Sequence, residues 1–311
     1  MKKLFIFGVG GLVGYRISLL AKNKFEVFGS YNERKPNFGF GNIQKLNILD
    51  ENKVKKVLNL VEPDYVIITS ALSNVDYCES HKEKAEKVNV EAVKKIFELC
   101  EQLGCKLIHI SSDSVFDGTK KNPYVEEDTP EPINVYGKTK LNSEKIVLKN
   151  LNNLVVRASV LYGWLPNYLS RIPSSSMKDK NFVQWLIEKL RSQEDVNIIT
   201  DEISSPILAD DVANSIVHLI LGEHSGLYHI SPPIQISRFD FSIKIAKHLR
   251  FNEKLIHPIT NKELGRDVST GNNKCLDSSK IQKKTSFKFL GLDESLIKLK
   301  YNLEQDEKYK N

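Results

Sequence analysis

The chain has 311 residues, 41% hydrophobic and 27% charged, with a formal net charge of +6. This is an ordinary globular composition, long enough for two domains or one large one. Basic residues are scattered among acidic ones with no arginine run interleaved with aromatics, which argues against a nucleic-acid partner. No apolar stretch of about 18 residues argues for a membrane span.

The opening MKKLFIFGVGGLVG has the lysines and apolar run of a signal peptide. Glycines interrupt it, however, and no small-residue cleavage site follows cleanly, so a cytoplasmic location is expected. KLFIF (3–7) is a short apolar run ending in glycines, as a buried parallel strand requires. GGLVGYRISLLAKN then reads as a helix with Leu12, Ile17, Leu20 and Ala21 on its apolar face. Further strands are expected at FEVFGS (25–30), IQKLNI (43–48), YVIITSA (65–71), KLIHISS (106–112), LVVRAS (154–159) and GLYHIS (226–231). Helical patterns occupy 51–61, 79–103, 136–150 and 208–221.

This alternation predicts an α/β fold, a doubly wound parallel sheet of the Rossmann type with a smaller mixed α/β substrate domain. The dinucleotide-binding part is assigned to 1–162 and 200–231, and the substrate part to 163–199 and 232–311. The stretch 163–181 departs from the pattern as an excursion, and the polar tail LEQDEKYKN is expected to fray. Cys78, Cys100, Cys105 and Cys275 form no CxxC pair and complete no zinc pattern with histidines. Buried free thiols are expected, and no metal.

Gly8, Gly11 and Gly14 follow the first strand and open the first helix. The GxGxxG spacing from Gly8 fails because Val13 stands where its last glycine belongs; the spacing that fits is GxxGxxG. In a strand–turn–helix context these glycines allow close approach of a pyrophosphate to helix N–H groups. A purely structural turn is the alternative. At the end of the second strand the chain reads Gly29, Ser30, Tyr31, Asn32, Glu33, Arg34, Lys35. No acid sits directly at the strand end to bind a ribose diol, and two cations follow, which favours the 2′-phosphate of NADP(H). Glu33 keeps NAD(H) open.

VYGKTK (135–140) sets Tyr136 and Lys140 four positions apart, on one helix face. A free phenol has a pKa of about 10. A cation about 4 Å away at an effective dielectric near 20 favours the phenolate by up to roughly 4 kcal/mol. That lowers the pKa by at most about 3 units, into the range of a general acid or base. An ordinary surface pair at i,i+4 is the alternative.

The glycine turn, ISSDSVFDG (110–118) and YGKTK together resemble the extended short-chain dehydrogenase/reductase family, and within it the dTDP-4-dehydrorhamnose reductase group. ALSNVDYCE (71–79), KVNVEA (87–92), RASVLYG (157–163), SSPILADDVA (204–213) and LDSSK (276–280) extend the likeness over most of the chain. The resemblance implies a catalytic set of Ser112, Tyr136 and Lys140, with Ser111 as the alternative serine. It implies cofactor contacts from Gly8, Gly11, Leu12, Val13, Gly14, Ser30, Arg34, Asn47, Ile48 and Ala71, and from Tyr136 and Lys140 themselves. Substrate contacts are implied for Ser73, Val75, Asp76, Asp113 and Asn181. Asn89 resembles the asparagine of VN motifs, with a helix-interior amide as the alternative, and Asp76 and Glu79 resemble a VDxxE signature that capping also explains. The implied activity is NADP(H)-dependent reduction of a nucleotide-linked 4-keto-6-deoxy sugar, Tyr136 protonating the developing alkoxide. A homodimer is one expected assembly.

Two positions depart from the group: Ser114 and Val160 stand where aromatic residues often flank the sugar. SVFDGTKKNPYVEEDTPEPINVYGKTKL also resembles the regulatory beta subunit of methionine adenosyltransferase. That resemblance implies the rival reading, an NADP-binding subunit with a methionine adenosyltransferase partner. A nucleotide-sugar epimerase or dehydratase ranks third, because the SSD segment lacks the acid pair expected of dehydratases.

Overall fold

The computed structural model describes residues 1–308 other than 175, 178, 179, 266, 267 and 269. Seven parallel strands form the main sheet: β1 (Lys3–Phe7), β2 (Glu26–Tyr31), β3 (Asn42–Lys45), β4 (Tyr65–Ile68), β5 (Lys106–Ser112), β6 (Leu154–Ala158) and β7 (Gly226–Ile230). Their spatial order is β7-β6-β5-β4-β1-β2-β3. The order reverses between β1 and β4, and ligands of such sheets bind at the carboxyl edge beside that point.

The central strands read as continuous apolar runs because both faces are covered. Leu4 and Ile6 of β1 pack on one side with Ile17 of α1 (Leu12–Ala21) and with Val212 and Ile216. Phe5 and Phe7 face the other way, against Leu58 of α2 (Glu51–Val61) and Ile96 of α3 (Ala92–Leu103). Each of these side chains is wholly buried and contributes about 1.5–3 kcal/mol relative to exposure.

The sequence pattern expects one helix over 79–103; the structure breaks it. Val75–Ser80 and Lys82–Glu86 are separate short helices, hinged at His81 with φ −132° and ψ 54°. Lys87–Glu91 forms a π-helical turn before α3. Such turns insert one extra residue and re-aim their side chains, and Asn89 lies within it. Helix α4 (Val135–Val147) carries Tyr136 and Lys140.

A third apolar core lies outside the sheet. It joins Tyr162 and Trp164 to α5 (Phe182–Arg191), to Leu208 at the head of α6 (Ala209–Leu221), to α7 (Arg238–Leu249) and to α8 (Leu292–Lys308), through Leu186, Ile245 and Leu299. Three short pairings stitch it together: Ile207 beside Leu161, Ile203 opposite Ser237, and Val196–Ile199 along Ile256–Ile259. The tail does not fray as expected, since helix α8 runs to Lys308; residues 309–311 lie outside the described residues. All four cysteines are free and buried.

Candidate active site

Gly8 follows β1 with φ +92°, a conformation that favours glycine. Its N–H and that of Val9 both donate to Ser30 O, each at 2.9 Å. A Cβ at Gly8 would lie 2.6 Å from Ser70 Oγ, and one at Gly14 would overlap Gly8 O. Gly10 is as constrained, because a Cβ there would overlap Arg34 O. The triplet spacing passes over Gly10, so the sequence pattern missed it. Gly11 caps α1 without any side-chain bond, and no acid stands in the first turn. The N-terminal amides of Leu12, Val13 and Gly14 thus form a helix end suited to an anion.

Arg34 is 7% exposed, and its Nε donates to Ile172 O at 2.7 Å. Ser30 is buried, Asn47 is exposed with its Oδ1 bonded to Leu49 N, Ile48 packs on the second core, and Ala71 is half-buried. The excursion crosses the carboxyl edge from β2 to β4. Asn37 N donates to Tyr168 Oη at 3.0 Å, Ser73 N to Ser176 O at 3.2 Å, and Asn74 Nδ2 to Met177 O at 2.8 Å.

Helix α4 begins at Asn134, whose side chain accepts from Gly137 N, while Glu79 Oε2 accepts from Val135 N at 3.0 Å. Asn89 fixes the helix laterally. Its Oδ1 accepts from Leu72 N at 2.8 Å, and its Nδ2 donates to Leu72 O and to Thr139 Oγ1, both at 3.0 Å. Thr139 Oγ1 donates to Tyr136 O. The amide therefore joins the loop after β4 to the turn between Tyr136 and Lys140. Asp76 is exposed in the first turn of its helix, beside Val75.

Ser112 ends β5. Its Oγ donates to Asp113 Oδ1 at 3.0 Å and accepts from Ser114 N at 3.2 Å. Burial pushes the Tyr136 phenol well above its usual range; the Ser112 hydroxyl bonded to it pulls it back less, and the Asp113 carboxylate nearby pushes further up. The i,i+4 spacing predicts that Lys140 pulls this phenol down. Instead Lys140 Nζ lies 3.2 Å from His109 Nε2, and burial lowers the Lys140 amine to about 8 against the opposing pull of Glu144. His109 was not singled out from the sequence, although a histidine inside the apolar strand KLIHISS was a visible signal.

Asp113 is 4% exposed, ringed by the hydroxyls of Ser112, Ser114 and Ser159. Ser111 Oγ is buried with no partner among the described residues. Asn181 caps α5, and its Nδ2 bonds Gly163 O at 2.9 Å, so its amide holds the smaller lobe together. Ser114 is buried and bonded to Asp113, and Val160 O accepts from Ile207 N.

A Gly-rich turn after the first strand of a parallel sheet, beside the point where the strand order reverses, is the architecture of an extended short-chain dehydrogenase/reductase. Residues 1–300 match the family described as RmlD substrate binding domain, and the chain belongs to that family. It is 31% identical over 280 residues to a probable low-salt glycan biosynthesis reductase, Agl14, of Haloferax volcanii, covering 89% of this chain and 90% of that one. It is 32% identical over 308 residues to methionine adenosyltransferase 2 subunit beta of Xenopus tropicalis, covering 95% and 87%. Among solved structures, a hypothetical dTDP-4-dehydrorhamnose reductase from Sulfolobus tokodaii superposes with a TM-score of 0.80 at 30% identity, over 94% of this chain and 98% of that one.

Proposed function

We propose that this protein is an NADP(H)-dependent reductase of a nucleotide-linked 4-keto-6-deoxy sugar. The reading rests on Ser112 at the end of β5 with Tyr136 bonded to it, on Lys140 one turn further along α4, and on the Gly8–Gly14 turn after β1. The uncapped N-terminus of α1 fits a pyrophosphate, and Arg34 with Lys35 fits a 2′-phosphate. Bound NADPH supplies the hydride. Ser112 orients the ketone oxygen by a hydrogen bond, and Tyr136 gives that oxygen a proton as negative charge develops there. A phenol raised by burial stays protonated at neutral pH, which is the state a donor needs. The phenolate left behind requires a cation, and Lys140 is the cation one turn away on the same helix. The similarity to Agl14 and to the Sulfolobus protein supports a sugar-directed reductase.

The cofactor part predicts that NADPH binds more tightly than NADH and that Arg34→Ala narrows the gap. A hydrogen bond to a charged group is worth about 1.5–3 kcal/mol, so the discrimination lost is on the order of tenfold to a hundredfold. Titration of both cofactors checks it; equal affinities, unchanged by the substitution, contradict it. Turnover is tested by loss of NADPH absorbance on a panel of nucleotide 4-keto-6-deoxy sugars.

A second reading is favoured by the similarity to the adenosyltransferase beta subunit over 95% of the chain, and by Ser114 and Val160 at the positions of sugar-flanking aromatics. In that reading the protein binds NADP and regulates a methionine adenosyltransferase. It predicts no turnover on the panel and altered kinetics of that partner.

A further inference from the structure

Three buried polar groups meet between β5 and α4, the helix that carries Tyr136. His109 is 1% exposed, Lys140 2% and Ser143 0%. His109 Nε2 stands 3.2 Å from Lys140 Nζ and 2.9 Å from Ser143 Oγ, and Ser143 Oγ is 2.8 Å from Lys140 O. His109 Nδ1 is buried without a hydrogen-bond partner among the described residues. One ring nitrogen thus faces two groups and the other faces none.

The protons have two consistent arrangements. With Nε2 bare, it accepts from the Lys140 ammonium, and the ring proton sits on the partnerless Nδ1. With Nε2 protonated, it donates to Ser143 Oγ, whose own proton goes to Lys140 O, and the amine loses its acceptor. A single imidazole nitrogen cannot accept from the ammonium and donate to the serine at once. The choice of tautomer is therefore linked to the charge of Lys140. Burial holds the imidazole itself neutral, with Lys140 adding to that effect.

We propose that His109 is a positioning residue for the reduction: its Nε2 anchors the Lys140 amine, and competition with Ser143 for Nε2 sets how firmly the ammonium is held. The consequence for turnover rests on the reductase reading above. Glu144 lies one turn further along α4 and is held by Arg157 of β6, with Arg157 Nη2 to Glu144 Oε2 at 2.8 Å. His229 of β7 stands behind Arg157 at 3.4 Å. Tyr136, with Asp113 near it, stands one turn earlier on α4.

The test is the titration of Lys140 in the full chain, read by NMR on protein labelled with carbon-13 at the lysine ε position and assigned with Lys140→Met. It uses no substrate, so it stands or fails apart from the reductase assay. Removing the acceptor with His109→Leu should lower the Lys140 midpoint by about one unit, the size expected for losing a hydrogen bond to a charged group. His109→Gln, which returns an acceptor near the same place, should restore it. Ser143→Ala should shift the midpoint upward, because Nε2 is then left to the amine alone. This conservative change keeps the test available if His109→Leu does not fold. A histidine that only fills space would leave the midpoint in place in His109→Leu and Ser143→Ala, and that result overturns the proposal. In turnover, the limb of the kcat–pH profile governed by Lys140 should move in the same directions.

Discussion

Tyr136 stands in a more apolar setting than its neighbours in sequence suggest. The i,i+4 spacing predicts a cation against it; the fold places Ser112 against it and sets Lys140 against His109. For a donor this is the better resting state, since the phenol keeps its proton until charge develops on the substrate. Tyr136→Phe removes one hydroxyl and keeps the ring, so turnover should fall by roughly 10²–10⁴, the range for a positioned proton transfer. Cofactor affinity should stay near that of the parent protein. Steady-state rates with an independent cofactor titration check both. The spacing of Tyr136 and Lys140 was legible from the i,i+4 pattern alone, but the direction of the lysine was not. It depends on His109, thirty-one positions earlier on a strand, and on Ser143, whose hydroxyl has no meaning until β5 and α4 are packed.

At the scale of elements, helix α4 is held from several sides. Asn134 and Glu79 satisfy its first amides, and Asn89 ties it to the loop after β4. Glu144 pairs with Arg157 on β6, both residues buried. Gly137 is the point of closest approach, since a Cβ there would overlap Ser114 O and lie 2.9 Å from the Pro132 side chain. Glycine to alanine in a helix ordinarily stabilises by about 0.5–1 kcal/mol. Gly137→Ala should have the opposite sign and cost about 1–3 kcal/mol, as overpacking typically does. Displacing Ser114 should disturb Ser112 too, so turnover falls with the urea midpoint. A stabilised variant of full activity would show that the approach is not tight. The strands of the sheet were legible because buried parallel strands are short, apolar and bounded by turns. The helix expected over 79–103 was not read correctly: apolar periodicity continues through the break at His81 and the π-helical turn, and only the hydrogen bonds of Asn89 reveal why the register shifts there.

For the molecule as a whole, buried polar groups shape its response to acid. His229 is buried, its Nδ1 faces Tyr124 O, and burial with the neighbouring Arg157 lowers it from the usual histidine range to about 3. As pH falls below 6.5 the unfolded chain takes up this proton while the folded one does not, until pH about 3. Stability contributed by the neutral ring is present above 6.5 and lost through that window. Asp211, raised to about 6 by burial, works in the opposite direction between 3.8 and 6. The comparison with His229→Gln isolates the first effect. The parent protein should lose up to about 1.4 kcal/mol more per pH unit than the variant between pH 6 and pH 4, one proton's worth of linkage. Urea melts at three pH values check it; parallel slopes contradict it. What the whole molecule does chemically was legible as a class from the glycine turn and from the likeness of ISSDSVFDG and YGKTK to the reductase family. The smaller lobe was less legible, because its core joins short strand pairs and helices distant in sequence. The central claim is that this chain alone carries hydride to a sugar ketone. NADPH deuterated at nicotinamide C4, incubated with the purified protein and a dTDP-linked 4-keto-6-deoxy sugar, should give a product deuterated at sugar C4, with label transfer suppressed in Tyr136→Phe. No label in any nucleotide sugar of the panel, together with altered kinetics of an added methionine adenosyltransferase, would contradict it.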